Sequence, residues 1–130
     1  MTTTLPKSPN MIHDSHKYGA LTELRCAAEL IKRDWHIAFP FINSSAIDLI
    51  AFRGSRFVTI QVKSATMMEG NFAKVSKDFN KYDGVDFIIC YDVHNRRWFI
   101  FPFEELRDRK SVTLSPIRYE RNCDNWALIR

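Results

Sequence analysis

Asp48, Gln61 and Lys63 are polar residues set into two apolar segments, and their types together suit chemistry on a phosphate group. Carboxylate and carboxamide oxygens are hard ligands of the kind that Mg²⁺ accepts, and the bound ion keeps several waters while it contacts substrate phosphates. Such an ion polarises the phosphoryl oxygen and lowers the pKa of a bound water. A nearby lysine ammonium stabilises negative charge that develops in the transition state. The residue types therefore point to metal-assisted phosphoryl chemistry.

A β-hairpin is the element that would bring these residues together. Residues 48–53 and 56–64 are rich in apolar, β-branched and aromatic residues, which predicts two strands. Gly54-Ser55 lies between them, and Gly at the first central position suits a tight two-residue turn. Such a turn pairs Arg53 with Arg56 and thereby fixes the register of the whole hairpin.

That register sets Asp48 opposite Gln61, with Lys63 on the same face, because strand side chains alternate between faces. The other face carries the apolar positions that are expected to pack on the core under a helix: Leu49, Ala51, Val58, Ile60 and Val62. Each polar residue also has a plain interpretation. Asp48 could begin the strand or cap the preceding loop, and Gln61 and Lys63 could form an exposed polar face. Their conjunction beside strongly apolar neighbours favours a site.

A helix over residues 16–34 precedes the hairpin. Its predicted core stripe consists of apolar residues at helical spacing, Leu21, Leu24, Ala28 and Ile31, widened by Ala27 and Leu30. Glu23 lies on this helix and could add a second carboxylate to the site, although an isolated helix glutamate is more often simply solvated. Gly19, one turn earlier, would let a backbone phosphate approach closely.

The remaining chain predicts a mixture of strands and short helices. Residues 71–83 fit an amphipathic helix, with residues 72–76 alternatively a strand. The other expected elements are strands at 36–41, 85–93 and 97–102, a short helix at 104–109, an edge strand at 112–114 and an apolar anchor at 126–129. The expected fold is α/β or α+β, with an N-terminal helix packed on a small mixed sheet. Residues 14–130 form one domain, and residues 1–13 form a disordered tail.

Composition narrows the class of protein. The 130 residues are 45% hydrophobic and carry a net charge of +4, which suits one globular domain and points mildly to an anionic partner. The three cysteines are scattered, which fits a reducing, cytoplasmic location and predicts neither a disulfide framework nor a zinc site. The sequence holds no apolar run long enough for a membrane span. Five cations are candidates for contact with a phosphate backbone, or else belong to a solvated face: Lys74, Lys77, Lys81, Arg96 and Arg97.

The motifs resemble a known family. Glu23 on the first helix, Asp48 within "SAIDLIAF" and the Gln61-x-Lys63 pattern within "IQVKSA" are similar to the PD-(D/E)XK nuclease superfamily, which combines a helix Glu, a hairpin Asp and a (Glu/Gln)-x-Lys motif. The segment "YDGVDFIICYDVHNRRWFIFPFEEL" resembles the family's later strands. The resemblance covers about residues 17–106. It is strongest to the small nucleases with Gln in the third motif, among them intron-encoded homing endonucleases, with archaeal Holliday-junction resolvases more distant.

The resemblance implies a restriction-endonuclease-like core, and it also implies roles for individual residues. Asp48 would be the central metal ligand, Gln61 a second ligand or positioning group, and Lys63 the catalytic lysine. Glu23 would help to bind the metal, and the main-chain carbonyl of Val62 would be a further ligand. The sequence departs from the family pattern at two positions, since Ile47 stands where a proline usually precedes the Asp, and Gln61 replaces the usual acid.

The implied function is a metal-dependent DNA endonuclease that uses Mg²⁺, for which Mn²⁺ can substitute. A domain of this size covers only a short stretch of duplex, so cleavage of both strands predicts a homodimer or a higher homo-oligomer. Three alternatives remain open at this stage. They are a non-catalytic nucleic-acid-binding module of the same fold, a Holliday-junction resolvase-type nuclease, and a structural protein whose polar sheet face is incidental.

Overall fold

The first element is a long helix, α1, which spans Met11–Ile31. The computed structural model describes residues 11–41 and 46–130. The helix starts five residues before the predicted residue 16, so the predicted tail 1–13 is wrong for residues 11–13, and residues 1–10 lie outside the described ranges. It ends before the predicted residue 34 because Asp34 takes a left-handed φ of 70°. The N–H of Trp35 then donates to the carbonyl of Leu30 at 3.1 Å, which closes the helix end.

A mixed five-stranded sheet forms the centre of the fold, as predicted. Its strands lie in the order β1-β2-β3-β6-β7. The bounds are β1 His36–Ala38, β2 Leu49–Arg53, β3 Arg56–Ala65, β6 Phe87–Asp92 and β7 Arg97–Pro102. Strands β3 and β6 run parallel, and all other neighbouring pairs run antiparallel. The parallel pair places the middle of β3 in the interior of the sheet.

The predicted hairpin register is confirmed. Strands β2 and β3 pair Arg53 with Arg56 and continue to Leu49 opposite Ile60. Gly54 has φ 58°, the left-handed conformation that this turn requires and that glycine adopts without steric cost. The residues predicted for the core face are all buried: Leu49, Ala51, Val58, Ile60 and Val62.

Both faces of the sheet are covered, and alternate residues of the central strands enter two different cores. Phe87 and Ile89 of β6 pack with α1 and the C-terminal segment. Ile88 and Cys90 of the same strand pack on the opposite side, with residues of a second, smaller sheet. A strand buried on both faces reads as a continuous apolar run, which explains the sequence FIIC.

The second sheet replaces the helix predicted over residues 71–83. Its order is β4-β5-β8, with β4 Met67–Glu69, β5 Phe72–Ser76 and β8 Ser111–Thr113. The alternative prediction of a strand at 72–76 is therefore correct. Ala73 and Val75 are buried while their neighbours are more exposed, which is the period of a strand and not of a helix. Asp78 then caps a short 3₁₀ helix, Phe79–Tyr82.

The predicted core stripe of α1 is wrong for Leu21, Leu24, Ala28 and Ile31, which are exposed, and correct for Ala27 and Leu30, which are buried. Leu21, Leu24 and Ile31 are 42%, 57% and 57% exposed. On the face that packs on the sheet, Leu30 is joined by three smaller buried residues: Thr22, Cys26 and Ala27. The helix has apolar residues on two sides, and the side with Cys and Ala lets its backbone approach the sheet closely.

The C-terminal segment packs back onto the domain as predicted. Trp126 and Ile129 are buried in the core beneath α1, and the Trp126 ring meets the ring of Trp98 edge-on at 5.6 Å. The short helix α2 spans Phe103–Leu106, shorter than the predicted 104–109. In the described ranges, neither helix is long and apolar enough to cross a membrane.

Candidate active site

The site begins where β2 separates from β3, at Asp48. Counted from the Arg53–Arg56 pair that closes the turn, Asp48 and Gln61 would be a non-hydrogen-bonded pair of the regular ladder, but the Asp48 N–H leaves that pattern and donates to the Ile60 carbonyl at 2.8 Å. The Asp48 carboxylate takes over as a partner of the next strand, since its Oδ2 accepts from the Val62 N–H at 2.9 Å. The β2–β3 ladder ends at Leu49, so Asp48 is not paired directly with Gln61 as predicted. This anchored carboxylate lies just before the first residue of β2.

Glu23 reaches Asp48 from α1, and the two carboxyl groups share a hydrogen bond. Burial and the neighbouring charge of Asp48 raise the pKa of Glu23 from 4.5 to about 7. Burial also raises the pKa of Asp48, while the hydrogen bond from Val62 acts in the opposite direction. Two partly desolvated carboxyl groups in contact cannot both ionise comfortably, so the pair favours a shared proton or a cation.

Lys63 lies close enough for its positive charge to lower the pKa of both acids. It stands on β3 beside Cys90 of β6, and its ammonium lies 4.6 Å from the centre of the Tyr82 ring. A cation over an aromatic face is held electrostatically, and the ring restricts where the flexible side chain can go. Tyr82 lies within the amphipathic helix predicted over residues 71–83, and its relation to Lys63 depends on a 3₁₀ helix that the sequence pattern did not indicate.

Gln61 is buried, with 6% of its surface exposed. Its amide nitrogen makes a long contact of 3.5 Å with the Val62 carbonyl. In the parallel ladder Gln61 pairs with Ile88, which faces the core on the side away from α1. The structure thus brings Glu23 and Asp48 into direct contact and Lys63 into electrostatic range, while Gln61 lies deeper in the sheet beside the Val62 main chain.

A cavity of about 400 Å³ opens in front of the Glu23–Asp48 pair. Its other lining residues are His16, Gly19, Ala20, Phe39, Pro40 and Ile47. The α1 members recur at helical spacing ending at Glu23, a signal that could have placed His16 at the site. A Cβ atom added to Gly19 would meet nothing within 4 Å, so this part of the helix faces open space. Close approach of a phosphate at Gly19 stays a prediction.

A buried hydroxyl pair fixes α1 against β3 beside the site. The Thr22 hydroxyl donates to the Tyr18 carbonyl at 2.8 Å, and its oxygen lies 2.6 Å from the Ser64 hydroxyl. A hydroxyl has one proton to donate, so Ser64 is the donor in the second bond. Thr22 precedes Glu23 and Ser64 follows Lys63, so this bond ties together the two elements that carry the site. The sequence pattern did not indicate that either residue would lie beside the site.

The donor chemistry of the pair fits a hard divalent cation. Glu23 and Asp48 supply carboxylate oxygens, and the carbonyl of Val62 and the carboxamide of Gln61 are neutral oxygen donors on the adjacent stretch of β3. Among residues 11–41 and 46–130, no three His, Cys, Asp or Glu side chains converge on one point. The raised pKa values of both acids show that negative charge here lacks full compensation, which an added cation would provide.

The five candidate cations differ in their surroundings. Lys74 on β5 forms an ion pair with Glu69 at 3.4 Å. Arg97 lies 3.6 Å from the fully buried carboxylate of Asp92, which also caps the turn through the N–H groups of residues 94 and 95. Lys77, Lys81 and Arg96 are exposed. The one-sided helix predicted to carry the three lysines does not form, and Lys74 and Arg97 are engaged within the protein.

The chain is similar to known proteins in sequence and in fold. The sequence is 24% identical over 107 residues to Protein 5.3 of Escherichia phage T7, covering 78% of this chain and 91% of that protein. The structure is similar to that of a bacterial homing endonuclease, I-Ssp6803I, with a TM-score of 0.75 and 18% identity, covering 85% and 87% of the two chains. It is also similar to a Holliday junction resolvase of Archaeoglobus fulgidus, with a TM-score of 0.57, 18% identity and 81% and 89% coverage.

The similarity to the two solved structures shows the fold, and the match of the sequence to a family model shows the family. The sequence model of the PD-(D/E)XK endonuclease family matches residues 13–124, which include the helix, the hairpin and the later strands described above. The expectation of a restriction-endonuclease-like α+β fold is confirmed, and so is the resemblance that rested on Glu23, Asp48 and the Gln61-x-Lys63 motif. The chain belongs to the PD-(D/E)XK endonuclease family.

Proposed function

We propose that this protein is a Mg²⁺-dependent endonuclease that hydrolyses phosphodiester bonds in DNA, and that Mn²⁺ can replace Mg²⁺. The observation that carries the proposal is the contact between the carboxyl groups of Glu23 and Asp48, within electrostatic range of the Lys63 ammonium. These groups come from α1, the start of β2 and β3. Membership of a nuclease family supports the same chemistry.

Glu23 and Asp48 are the residues that would hold the metal, with the Val62 carbonyl and Gln61 as further oxygen donors. A divalent ion bound there would polarise the phosphoryl oxygen and lower the pKa of a bound water. The Val62 N–H orients Asp48 by fixing one carboxylate oxygen, and a bound cation would take the place of the proton that Asp48 shares with Glu23. The cavity in front of the pair provides the space in which a phosphate group could bind.

Lys63 would stabilise the negative charge that grows on the scissile phosphate. Its ammonium is held over the Tyr82 ring, and a group fixed in advance costs little reorganisation when charge develops. Lys77, Lys81 and Arg96 are the exposed cations that would contact the DNA backbone. Such contacts supply affinity without sequence preference.

DNA as the substrate is part of the proposal, supported by the similarity in fold to a homing endonuclease and to a Holliday junction resolvase. A homodimer or a higher homo-oligomer, and a cytoplasmic location, belong to the same proposal. Each of these stays a prediction that experiment can check separately.

The test is incubation with supercoiled plasmid, linear duplex and a four-way junction, each with Mg²⁺ or with EDTA. We expect metal-dependent cleavage of plasmid or linear duplex that EDTA abolishes. Cleavage confined to the junction would replace the proposal with a resolvase-type activity. Binding of DNA with no cleavage under any metal would identify a non-catalytic nucleic-acid-binding module instead. A protein that neither binds nor cuts DNA would defeat the proposal altogether.

A further inference from the structure

A cavity of about 530 Å³ opens between α1 and the turn that joins β6 to β7. We call this cavity the basic pocket, and its lining residues are Tyr18, Arg25, Tyr91, Val93 and Arg96. It shares no lining residue with the cavity in front of the Glu23–Asp48 pair. Its volume lies in the range of pockets that hold small ligands. The basic pocket is therefore a candidate binding site separate from the active site.

The positive charges of the basic pocket are not neutralised within the protein. Arg25 and Arg96 are both exposed, and neither side chain forms an ion pair or a hydrogen bond with another residue in the ranges 11–41 and 46–130. No aspartate or glutamate is among the described residues that line the pocket. Two guanidinium groups without a carboxylate favour an anionic ligand, and their forked N–H donors match the oxygens of a phosphate group.

Aromatic side chains form another part of the wall of the basic pocket. Tyr18 is 49% exposed, and its ring contacts no other aromatic ring of the described residues. Tyr91 is half-buried, and its ring packs on the ring of Trp98 at 4.5 Å between centres. Tyr18 therefore presents a free aromatic face, while Tyr91 is held in place by the core. Nucleobases of any sequence stack on such a free face, and basic grooves that bind single strands combine arginines with aromatic rings in this way.

We propose that the basic pocket binds an unpaired nucleotide of DNA, with the phosphate at Arg25 and Arg96 and the base on the Tyr18 ring. The choice of DNA as the nucleic acid rests on the proposed function. A base inside a duplex is already stacked on its neighbours, so it has no free face for Tyr18, whereas an unpaired base has one. The substrate class that uses both the arginines and the tyrosine is DNA in which a single-stranded segment adjoins a duplex.

The basic pocket and the active site lie on opposite flanks of α1. Arg25 and Glu23 are two residues apart, which is about 200° around a helix. On the sheet, Tyr91 pairs with Ser64, which directly follows Lys63. A helix is about 10 Å across, and successive phosphates of one strand advance by about 3.4 Å along a duplex axis. One strand is therefore long enough to place a phosphate at the active site and an unpaired nucleotide, a few residues away, in the basic pocket.

The test measures DNA affinity in Ca²⁺, so that binding is observed without cutting. The probes are a duplex with a single-stranded tail of about 8 nucleotides, on either the 5′ or the 3′ end, and a blunt duplex lengthened to carry the same number of phosphates. Matching the phosphates removes any difference that arises from total charge alone. We expect the unaltered protein to bind at least one tailed duplex about tenfold more tightly than the blunt duplex.

Tyr18→Leu and Arg25→Gln should each lower this preference for the tailed duplex at least fivefold. Phe57→Leu and Arg118→Gln are the matched controls, because they remove an exposed ring and an exposed cation outside the basic pocket, and they should keep the preference. Both test residues are exposed, so their variants should fold, which circular dichroism checks. A 2-aminopurine base in the tail should change its fluorescence on binding to the unaltered protein, and Tyr18→Leu should lose that change.

Three outcomes would overturn the inference. They are equal affinities of the unaltered protein for tailed and blunt duplexes, a preference that either test variant leaves intact, and displacement of the tail by a deoxynucleoside monophosphate at micromolar concentration. The last outcome would mean that the pocket holds a free nucleotide and not part of a strand. Plasmid cleavage in Mg²⁺ separates this inference from the proposed function. A protein that cuts DNA without preferring tails would lose this inference alone, whereas one that prefers tails but cuts nothing would keep it and lose the nuclease proposal.

Discussion

The carboxylate of Asp48 accepts a hydrogen bond from the main-chain N–H of Val62 at 2.9 Å, at the point where the β2–β3 ladder ends. This bond does two things at once. It satisfies a strand N–H that has lost its regular partner, and it fixes the acid that meets Glu23 from α1. The local fold at the end of the ladder and the proposed metal binding therefore depend on the same side chain, so substitutions of Asp48 test both.

Asp48→Asn should abolish cleavage and leave DNA affinity within about tenfold of the unaltered protein, since affinity comes mainly from distributed phosphate contacts. The amide oxygen of Asn can still accept from the Val62 N–H, so the fold should survive while the negative charge is lost. Rates of plasmid cleavage and a binding titration in Ca²⁺ would measure the two effects. A rate above a tenth of the unaltered value would exclude the proposed role of Asp48.

Lys63→Ala should likewise lose cleavage and retain binding, because the ammonium is proposed to act on the reacting phosphate. Tyr82→Leu offers a matched comparison, since it removes the aromatic face beneath the ammonium but keeps an apolar side chain. We expect a smaller loss of about 3- to 30-fold in kcat for Tyr82→Leu, consistent with a positioning residue. Equal losses in the two variants, or none in Lys63→Ala, would contradict this assignment.

Divalent metal ions should differ in whether they support DNA cleavage or only DNA binding. Mg²⁺ and Mn²⁺ should support cleavage, whereas Ca²⁺ should support DNA binding without cutting, because the donors at the site are oxygens. Titration calorimetry of the protein with each ion measures binding directly, and Glu23→Gln and Asp48→Asn should each weaken it. A protein that binds no divalent ion at millimolar concentration could not work by the proposed route.

The hairpin was predictable because its signals are local. The alternation of residues and the Gly54-Ser55 turn set the register from Leu49 to Ile60, and the structure has that register. The behaviour of Asp48 was not predictable from alternation alone, since its side chain replaces a main-chain group and so leaves the regular pattern. The contact with Glu23 depends on how α1 lies across the sheet, which is a tertiary relationship.

The helix α1 and the segment after β4 show where periodicity is ambiguous. α1 has apolar residues on two sides, and packing selected the side with Cys26 and Ala27, not the side with Leu24. Residues 72–82 fit a helical stripe, but pairing of Val75 with Val112 makes the first part a strand. In both cases the deciding contact is with a residue distant in sequence, which local patterns do not report.

Arg96 and Arg97 are neighbours in sequence, but substitutions at the two positions are expected to affect different properties of the protein. Arg96 is exposed in the β6–β7 turn, so Arg96→Asn should lower DNA affinity and reduce the dependence of log K on log salt by about one unit. Asn is the chosen replacement because residue 96 has φ 53°, a conformation that Asn tolerates.

Arg97→Ala should instead destabilise the fold by about 1–3 kcal/mol, since it removes the cation beside the buried Asp92. Its DNA affinity and salt dependence should not change. Urea unfolding and salt-dependent binding titrations on both variants check the pair. A reversed pattern, with Arg97→Ala weakening binding and leaving stability intact, would show that Arg97 and not Arg96 faces the DNA.

Glu23 should make the stability of the metal-free protein depend on pH. Its pKa is raised by burial and by the charge of Asp48 from 4.5 to about 7 in the folded state. The folded protein therefore holds a proton between pH 4.5 and 7 that the unfolded chain releases, so this group's contribution to stability falls as the pH rises through that window. The raised pKa of Asp48 acts in the same direction.

Mg²⁺ should reverse this trend, because binding between two ionised carboxylates competes with the proton and becomes more favourable above pH 7. Thermal unfolding from pH 5 to pH 8, with and without Mg²⁺ at roughly 10 mM, measures both effects. Glu23→Gln is the matched control, since its amide can still donate to Asp48 but cannot ionise. We expect a flatter pH profile and a smaller Mg²⁺-dependent rise in Tm for Glu23→Gln. An identical profile for the two proteins would mean that the Glu23–Asp48 pair neither holds the proton nor binds the metal.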